Sequence, residues 1–136
     1  MIQTTSTVRP SVDKIRKNRI SVKFQEIRIP AIAILDMLYL GQSTPAGVVT
    51  EGEMNYFLES VVTPRFPQGF SVQSSVSGQW RCKDGHIERE STKILILAHP
   101  NTLKAEKAVL EIKQAYMTLF SQESVMRTKV LGTIEF

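Results

Sequence analysis

Polar and aromatic side chains of the kinds that build binding sites lie around a predicted β-hairpin in the middle of the chain. The segment "QWRCKDGHIERESTK" carries Trp80 before its Asp-Gly turn and Glu90 and Lys93 after it. Arginine and lysine hold acidic groups, a carboxylate accepts hydrogen bonds or moves protons, and tryptophan covers a flat or apolar ligand. Pairing of the two strands would gather these groups at one end of a sheet.

Two interpretations of this region stay open. The acidic and basic side chains form a cross-strand ladder beside a half-buried Trp80, each pair contributing a few tenths to about 1 kcal/mol. Alternatively, Arg65, Lys93 and Tyr116 hold a small acidic or aromatic ligand over Trp80. Gln122, in "QESV", either bonds the end of the preceding helix or lines the same pocket. The candidate binding residues are Arg65, Trp80, Arg89, Glu90, Lys93, Tyr116 and Gln122.

Catalysis has less support in the sequence. His86 falls in the hairpin turn and His99 precedes Pro100 at a strand end, where capping is a commoner role than acid–base work. Cys82 has no histidine placed by sequence to activate it, which favours a packing role. The sequence contains no G-x-S-x-G, P-loop or G-x-G-x-x-G motif and no Cys/His spacing typical of zinc. We therefore expect no catalytic residue, no cofactor and no metal.

The charge is divided unevenly along the chain. The 136 residues carry a net charge of +4, but residues 1–30 alone hold +5 and the remainder −1. The body therefore has no charge bias toward phosphate, and a nucleic-acid role is disfavoured. The basic N-terminal extension, predicted to be partly flexible, suits an acidic protein or surface. The apolar stretch at 29–40 is too short to span a bilayer and no leader is marked, so a cytoplasmic location is expected.

The remaining chain, residues 31–136, is predicted to form a single α+β domain. A near-continuously apolar segment at 32–41 predicts a central strand. Thr50 and Glu53 fit a capping box for a helix that ends near Val62, where Pro64 follows. Beyond a corner at "TPRFPQGF", the residues Phe70, Val72 and Val76 alternate as one face of a strand. A hairpin, a helix capped by Asn101 and a last strand complete the body.

This order of strand, helix, two hairpin strands, helix and strand predicts a ferredoxin-like βαββαβ fold. Its four-stranded antiparallel sheet would carry both helices on one face and leave the other face open. Such a face exposes several hundred Å² of apolar surface, which soluble monomers seldom tolerate. We therefore expect a homodimer or a larger protein complex.

Separated pieces of the sequence are similar to an uncharacterised bacterial family, domain of unknown function 3574. The pieces are "VVTPRFPQGF", "GQW", "DG", "RESTKILIL", "HP", "AY", "F" and "QESV", in this order over about residues 36 to 130. The matching positions are Gly41, Pro64, Arg65, Phe66, Pro67, Gly69, Trp80, Glu90, Ser91, Lys93, Tyr116, Phe120, Gln122 and Ser124. Leu40 departs from the aromatic that is usual before Gly41, and the secretory or lipoprotein signal of many relatives is not seen. The resemblance implies no activity.

Two functions are predicted from these observations. The first is a non-catalytic binding or assembly module that acts through its open sheet face and basic arm. The alternative is a cofactor-independent small-molecule enzyme of the dimeric α+β barrel type, with a pocket near Arg65, Trp80, Lys93 and Tyr116. The lack of a proton-transfer pair in the sequence favours the first.

Overall fold

The computed structural model describes residues 31–136, which form one compact unit; the basic N-terminal extension lies outside the described residues. The strands are β1 (Ile32–Gly41), β2 (Ser43–Thr44), β3 (Gly47–Val48), β4 (Ser71–Arg81), β5 (Ile87–Pro100) and β6 (Met126–Thr133). The first helix consists of α1 (Glu51–Phe57), a π-helical segment (Leu58–Val62) and a short α2 (Thr63–Arg65), and the second helix is α3 (Leu103–Leu119). No helix in this described part of the chain is long and apolar enough to cross a membrane.

Four strands form one sheet in the order β4-β5-β1-β6, and every neighbouring pair is antiparallel. β1 lies inside the sheet, where Leu38 is opposite Leu95 of β5 and Arg127 of β6. β2 and β3 form a separate small hairpin. The prediction of an α+β fold with a four-stranded antiparallel sheet and two helices is confirmed.

The core lies between the sheet and the helices. Alternate residues of β1 and β5 are buried there, including Leu38, Leu40 and Leu95. They pack in one cluster with the apolar stripes of the two helices, whose fully buried members are Met54, Phe57, Val62, Val109, Ile112 and Tyr116. Side chains of adjacent β1 positions point to the other face, called here the open face.

Both helix starts are capped by threonine. The predicted capping box is present, because Thr50 Oγ1 accepts from the Glu53 N–H at 3.1 Å and Glu53 Oε1 accepts from the Thr50 N–H at 3.0 Å. The N-cap of α3 is Thr102, whose Oγ1 accepts from the Ala105 N–H at 3.2 Å. The prediction of Asn101 as this cap is wrong, since β5 continues to Pro100 and shifts the helix start by one residue.

Pro64 does not end the first helix, contrary to the sequence-based expectation. The Thr63 N–H donates to the Leu58 carbonyl, five residues back, in the widened turn of the π-helical segment. Pro64 then stands in the first turn of α2, where no N–H is required of it. The chain leaves the helix at Phe66 and turns at Gly69, whose φ of +140° favours glycine.

A β-bulge in β4 changes the face that its side chains occupy. Val72 is opposite Leu95 in the core, whereas Val76 is opposite Thr92 on the open face, so β4 carries one residue more than β5 in this interval. Ser75, inside the bulge, has a φ of +61°. The expected single alternation through Phe70, Val72 and Val76 is therefore wrong, and Trp80 lies on the open face.

Candidate functional site

A cavity of about 330 Å³ lies on the open face where β1, β4 and β5 come together. Three of the candidate residues line it, namely Trp80, Glu90 and Gln122, together with Tyr39, Thr92 and Met126. The bulge in β4 makes this possible, because it turns Trp80 to the same side of the sheet as Glu90. The family positions Gly41 and Ser124 also border this cavity.

The Glu90 carboxylate is held at the edge of the cavity by close backbone contacts. Its Oε2 accepts from the Ser43 N–H at 2.8 Å, just beyond the end of β1. A Cβ on Gly41 would lie 2.4 Å from Glu90 Oε1, so only glycine leaves space for the carboxylate here. Gly78 lies directly opposite Glu90 in β4, where a Cβ would be 2.7 Å from Thr92 Oγ1. Gly41 thus gives the Glu90 carboxylate its space, and Gly78 leaves room for the hydroxyl of the neighbouring Thr92.

Tyr116 and Gln122 act on this site through the chain segment 41–43. The Tyr116 hydroxyl donates to the Gly41 carbonyl at 2.5 Å and accepts from Gln42 Nε2 at 3.1 Å. Gln122 Nε2 donates to the Ser43 carbonyl at 2.7 Å. Burial, and then the charge of Glu90, raise the pKa of Tyr116 above its usual value, so the phenol stays protonated as a donor. Tyr116 is fully buried and positions Glu90 without lining the cavity.

Two buried polar atoms on the open face have no hydrogen-bond partner among the described residues. They are Trp80 Nε1, in β4, and Thr128 Oγ1, in β6. A buried donor without an acceptor costs about 1–3 kcal/mol, and native proteins contain few of them. The Trp80 side chain lines the cavity, and its buried N–H has no acceptor among these residues.

Arg65 lies away from this cavity, between the two helices. Its Nη2 donates to Glu111 Oε2 of α3 at 2.8 Å, and its Nη1 donates to the Val61 carbonyl at 2.9 Å. Arg65 also borders a cavity of about 640 Å³ between the corner and α3. The guanidinium is thus engaged within the protein, and Trp80 is not among the residues that line this second cavity.

Lys93 and Arg89 have partners of their own as well. Lys93 Nζ lies 2.7 Å from Glu51 Oε1, on the helix side of the sheet, because Lys93 is one residue out of phase with the open-face residue Thr92. Arg89 Nε donates to Gln79 Oε1 across the hairpin at 3.0 Å. The structure therefore does not bring Arg65, Lys93 and Tyr116 together over Trp80.

An ion network, which we define as Asp36, His99, Glu106 and Arg127, was not anticipated from the sequence. Asp36 and His99 are buried in it, and Arg127 and Glu106 are partly exposed. Arg127 bonds Asp36 through two nitrogens at 2.7 and 2.9 Å and bonds Glu106 through two nitrogens at 2.9 and 2.7 Å. His99 Nε2 lies 2.5 Å from Asp36 Oδ2, while His99 Nδ1 lies 2.8 Å from the Pro100 carbonyl. A charged residue inside "IAILDMLYL" was the available signal, since a buried carboxylate requires partners.

The carboxylates of this network are paired with Arg127 and, in the case of Glu106, also with Lys129. Burial alone would raise the pKa of Asp36, but hydrogen bonds from Arg127 and His99 outweigh it and leave the pKa lowered. Hydrogen bonds from Arg127 and then Lys129 lower the pKa of Glu106 to about 2. The Arg127 pKa is raised in return, first by Asp36 and then by Glu106. Both carboxylates are thus ionised and paired, which is the arrangement of a structural cluster.

Within residues 31–136, one group of side chains that can bind a metal has its donor atoms close together. Donor atoms of Cys82, Asp84 and His86 lie within 4.8 Å of one another at the β4–β5 turn. Sequence spacing did not predict this group, because zinc motifs typically contain paired Cys and His positions and this turn has one of each. The available signal was the presence of Cys, Asp and His at every second residue around the Asp-Gly turn.

Comparisons with known proteins identify a fold and a family. No curated protein sequence matches the chain. A phage SAM lyase in complex with S-methyl-5'-thioadenosine has a similar structure, with 15% identity and a TM-score of 0.55 over 82% of this chain and 97% of that one. CutA from Synechococcus elongatus PCC7942 is also similar, with 12% identity and a TM-score of 0.50 over 77% of this chain and 81% of that one. At such identities the likeness concerns the fold alone.

The family assignment rests on a match of the sequence itself over most of the chain. The model of one protein family of unknown function matches residues 36–136. This range contains the cavity residues from Tyr39 to Met126 and the corner at 63–70. The chain therefore belongs to the DUF3574 family of proteins of unknown function.

Proposed function

We propose that this protein is a non-catalytic binding and assembly module whose open face docks against a second copy of the chain. The observation that carries this proposal is the apolar composition of the open face across all four strands. Its apolar members are Leu35, Met37 and Tyr39 of β1, Ile94 and Ile96 of β5, Val76 and Trp80 of β4, and Met126 and Val130 of β6.

Exposure on this face is greatest along the edge strand β6. Met126 and Val130 are 57% and 50% exposed, whereas Ile94, inside the sheet, is 8% exposed. Burying apolar side chains of this size contributes about 1.5–3 kcal/mol each, which favours association. β6 is an edge strand within the described sheet, so a partner has access to it.

Docking on this face would also close the cavity at Trp80 and Glu90. A partner's carbonyl or hydroxyl groups, or a ligand held between two copies, would accept from the unpaired Trp80 N–H. The strand order supports the ferredoxin-like arrangement as the scaffold. Contact of the basic arm with an acidic partner and a cytoplasmic location complete the proposal.

Light scattering of the full chain at micromolar concentration tests self-association. We expect an oligomer, and we expect Val130→Lys to shift it to the monomer because the new ammonium group would lie on the docking face. Leu131→Lys is the matched control, since Leu131 is 61% exposed on the opposite face of the same strand. A strictly monomeric wild-type chain, or an oligomer that both variants leave intact, contradicts the proposal.

A small-molecule enzyme is retained as the second candidate because a carboxylate borders the cavity. Glu90, two aromatic side chains and a volume of about 330 Å³ suit a small organic ligand. The phage SAM lyase, which holds S-methyl-5'-thioadenosine, shares the fold. Calorimetry with this nucleoside tests the candidate, and Glu90→Gln is the matched variant. Binding that depends on Glu90, together with turnover, would favour the enzyme over the assembly module.

A further inference from the structure

The turn between β4 and β5 is held in shape by its own backbone. The Cys82 N–H donates to the His86 carbonyl at 2.9 Å, and the Gly85 N–H donates to the Cys82 carbonyl at 2.9 Å. Gly85 has a φ of +92°, and Asp84 Oδ1 accepts from the His86 N–H at 3.1 Å. The side chains of Cys82, Asp84 and His86 are therefore presented from a fixed loop, at every second position.

These three side chains supply a sulfur, a carboxylate oxygen and an imidazole nitrogen within 4.8 Å of one another. Around a tetrahedral zinc ion, such donors are separated by about 3.3–3.8 Å. Asp84 and His86 are exposed, so small rotations of these two side chains bring the donor atoms to that separation. We propose that the β4–β5 turn binds a divalent transition-metal ion through Cys82, Asp84 and His86.

Glu88 supplies the outer contact that such a site requires. Its Oε1 lies 3.0 Å from His86 Nε2, and it follows His86 by the same interval of two residues. A metal-bound histidine usually donates its second ring N–H to a carboxylate, which fixes the orientation of the ring. With Nε2 held by Glu88, the Nδ1 atom of His86 faces Asp84 and is the ligating nitrogen.

The charge around the thiol also favours a cation. The Asp84 carboxylate lies within the 4.8 Å cluster that contains the Cys82 thiol, and the Glu88 carboxylate lies 3.0 Å from His86 Nε2. A metal ion relieves this accumulation of negative charge and stabilises the thiolate. Metal binding must therefore release protons and strengthen as pH rises, because the thiol and the imidazolium of His86 are deprotonated on binding.

The donor set selects the class of metal. A thiolate and an imidazole suit Zn²⁺ and Co²⁺, whereas Mg²⁺ and Ca²⁺ prefer oxygen ligands. Three protein ligands leave a fourth position for water or for a further side chain. The site lies beyond the ends of the sheet strands and does not depend on the assembly proposed above.

Titration of the full chain with Co²⁺ provides a direct test. Cys82 is the only cysteine of the sequence, so a thiolate-to-cobalt charge-transfer absorption band reports this site alone. We expect the band in the wild-type chain, and we expect competition by Zn²⁺ but not by Mg²⁺. His86→Gln and Glu88→Ala should each weaken binding by about 10- to 100-fold. Lys83→Ala, inside the same turn, is the control that should bind as the wild type does.

Asp84→Asn separates the loss of a ligand from a loss of folding. Asn-Gly favours the same turn as Asp-Gly, and the substitution removes only the charge. This variant should keep the circular dichroism of the wild type and bind Co²⁺ at least about tenfold more weakly. Quenching of Trp80, the only tryptophan of the sequence, gives a second readout near the site. Absence of the charge-transfer band, or equal affinity in the wild type and the His86 and Asp84 variants, would overturn the proposal.

Discussion

The two faces of β1 use polar groups in opposite ways. On the helix side, the ion network surrounds the fully buried Asp36 with partners that satisfy both of its oxygens. On the open side, the cavity leaves Trp80 Nε1 without a partner among the described residues and presents the Glu90 carboxylate at its edge. β1 thus separates polar groups whose hydrogen bonds are all formed from polar groups that can still form a hydrogen bond.

This contrast separates stability from function. Breaking a buried ion pair is costly because the remaining charge loses its partner. An unpaired donor at a cavity wall costs free energy in the isolated chain and recovers it when an acceptor arrives. We therefore expect substitutions in the network to change folding and substitutions at the cavity to change binding.

Asp36→Asn should have the largest effect on stability. The substitution removes the carboxylate that pairs with Arg127 and His99. We expect the free energy of unfolding to fall by about 3–5 kcal/mol. Glu90→Gln is the counterpart at the cavity, where the amide oxygen still accepts from the Ser43 N–H, and about 1 kcal/mol is expected. Urea unfolding measures both. Equal losses in the two variants would remove the distinction between the two faces.

Low pH should reduce the stability of the protein through protonation of Glu106. Its pKa is lowered from 4.5 to about 2 in the folded chain, so the folded state binds its proton less readily than the unfolded state. Its contribution to stability is present above pH 4.5 and is lost as pH falls toward 2. Urea unfolding across this range should show a smaller pH dependence in Glu106→Gln. An unchanged slope would mean that the network is not held by this carboxylate.

Trp80→Phe should have the smallest effect on folding. The change removes a buried N–H that has no partner, which offsets part of the lost packing, and less than about 1 kcal/mol is expected. The same variant should weaken self-association, as measured by light scattering over a dilution series. A variant that is strongly destabilised but associates normally would place Trp80 with the structural residues.

Local features of the fold could be read from the sequence where one interaction dominates. The Thr50 and Glu53 capping box and the Asp84-Gly85 turn depend on residues a few positions apart, and both are present. The sheet followed from apolar alternation and from the order of elements. The start of α3 was misplaced by one residue because Asn101 and Thr102 are both good caps.

The candidate site was harder to predict because it depends on a shift in the alternation of side chains along β4. The bulge at Ser75 carries no proline or glycine to mark it, yet it reverses the face of every later residue in β4. Trp80 therefore lies on the same face of the sheet as Glu90, whereas Lys93 lies on the helix side. The Asp36 partners were missed because Arg127 lies far away in sequence and only the pairing of β1 with β6 brings it close.

The inner position of β1 also sets an order for folding during synthesis. Among the strands of residues 31–136, β1 leaves the ribosome first, and both strands that flank it, β5 and β6, are made later. The apolar β1 segment stays unpaired until β5 emerges, and its second edge stays unpaired until β6 emerges. Segments of this kind are prone to aggregate while they wait, and pairings distant in sequence close slowly. Completion of the sheet is consequently a late event, which must follow translation of β6.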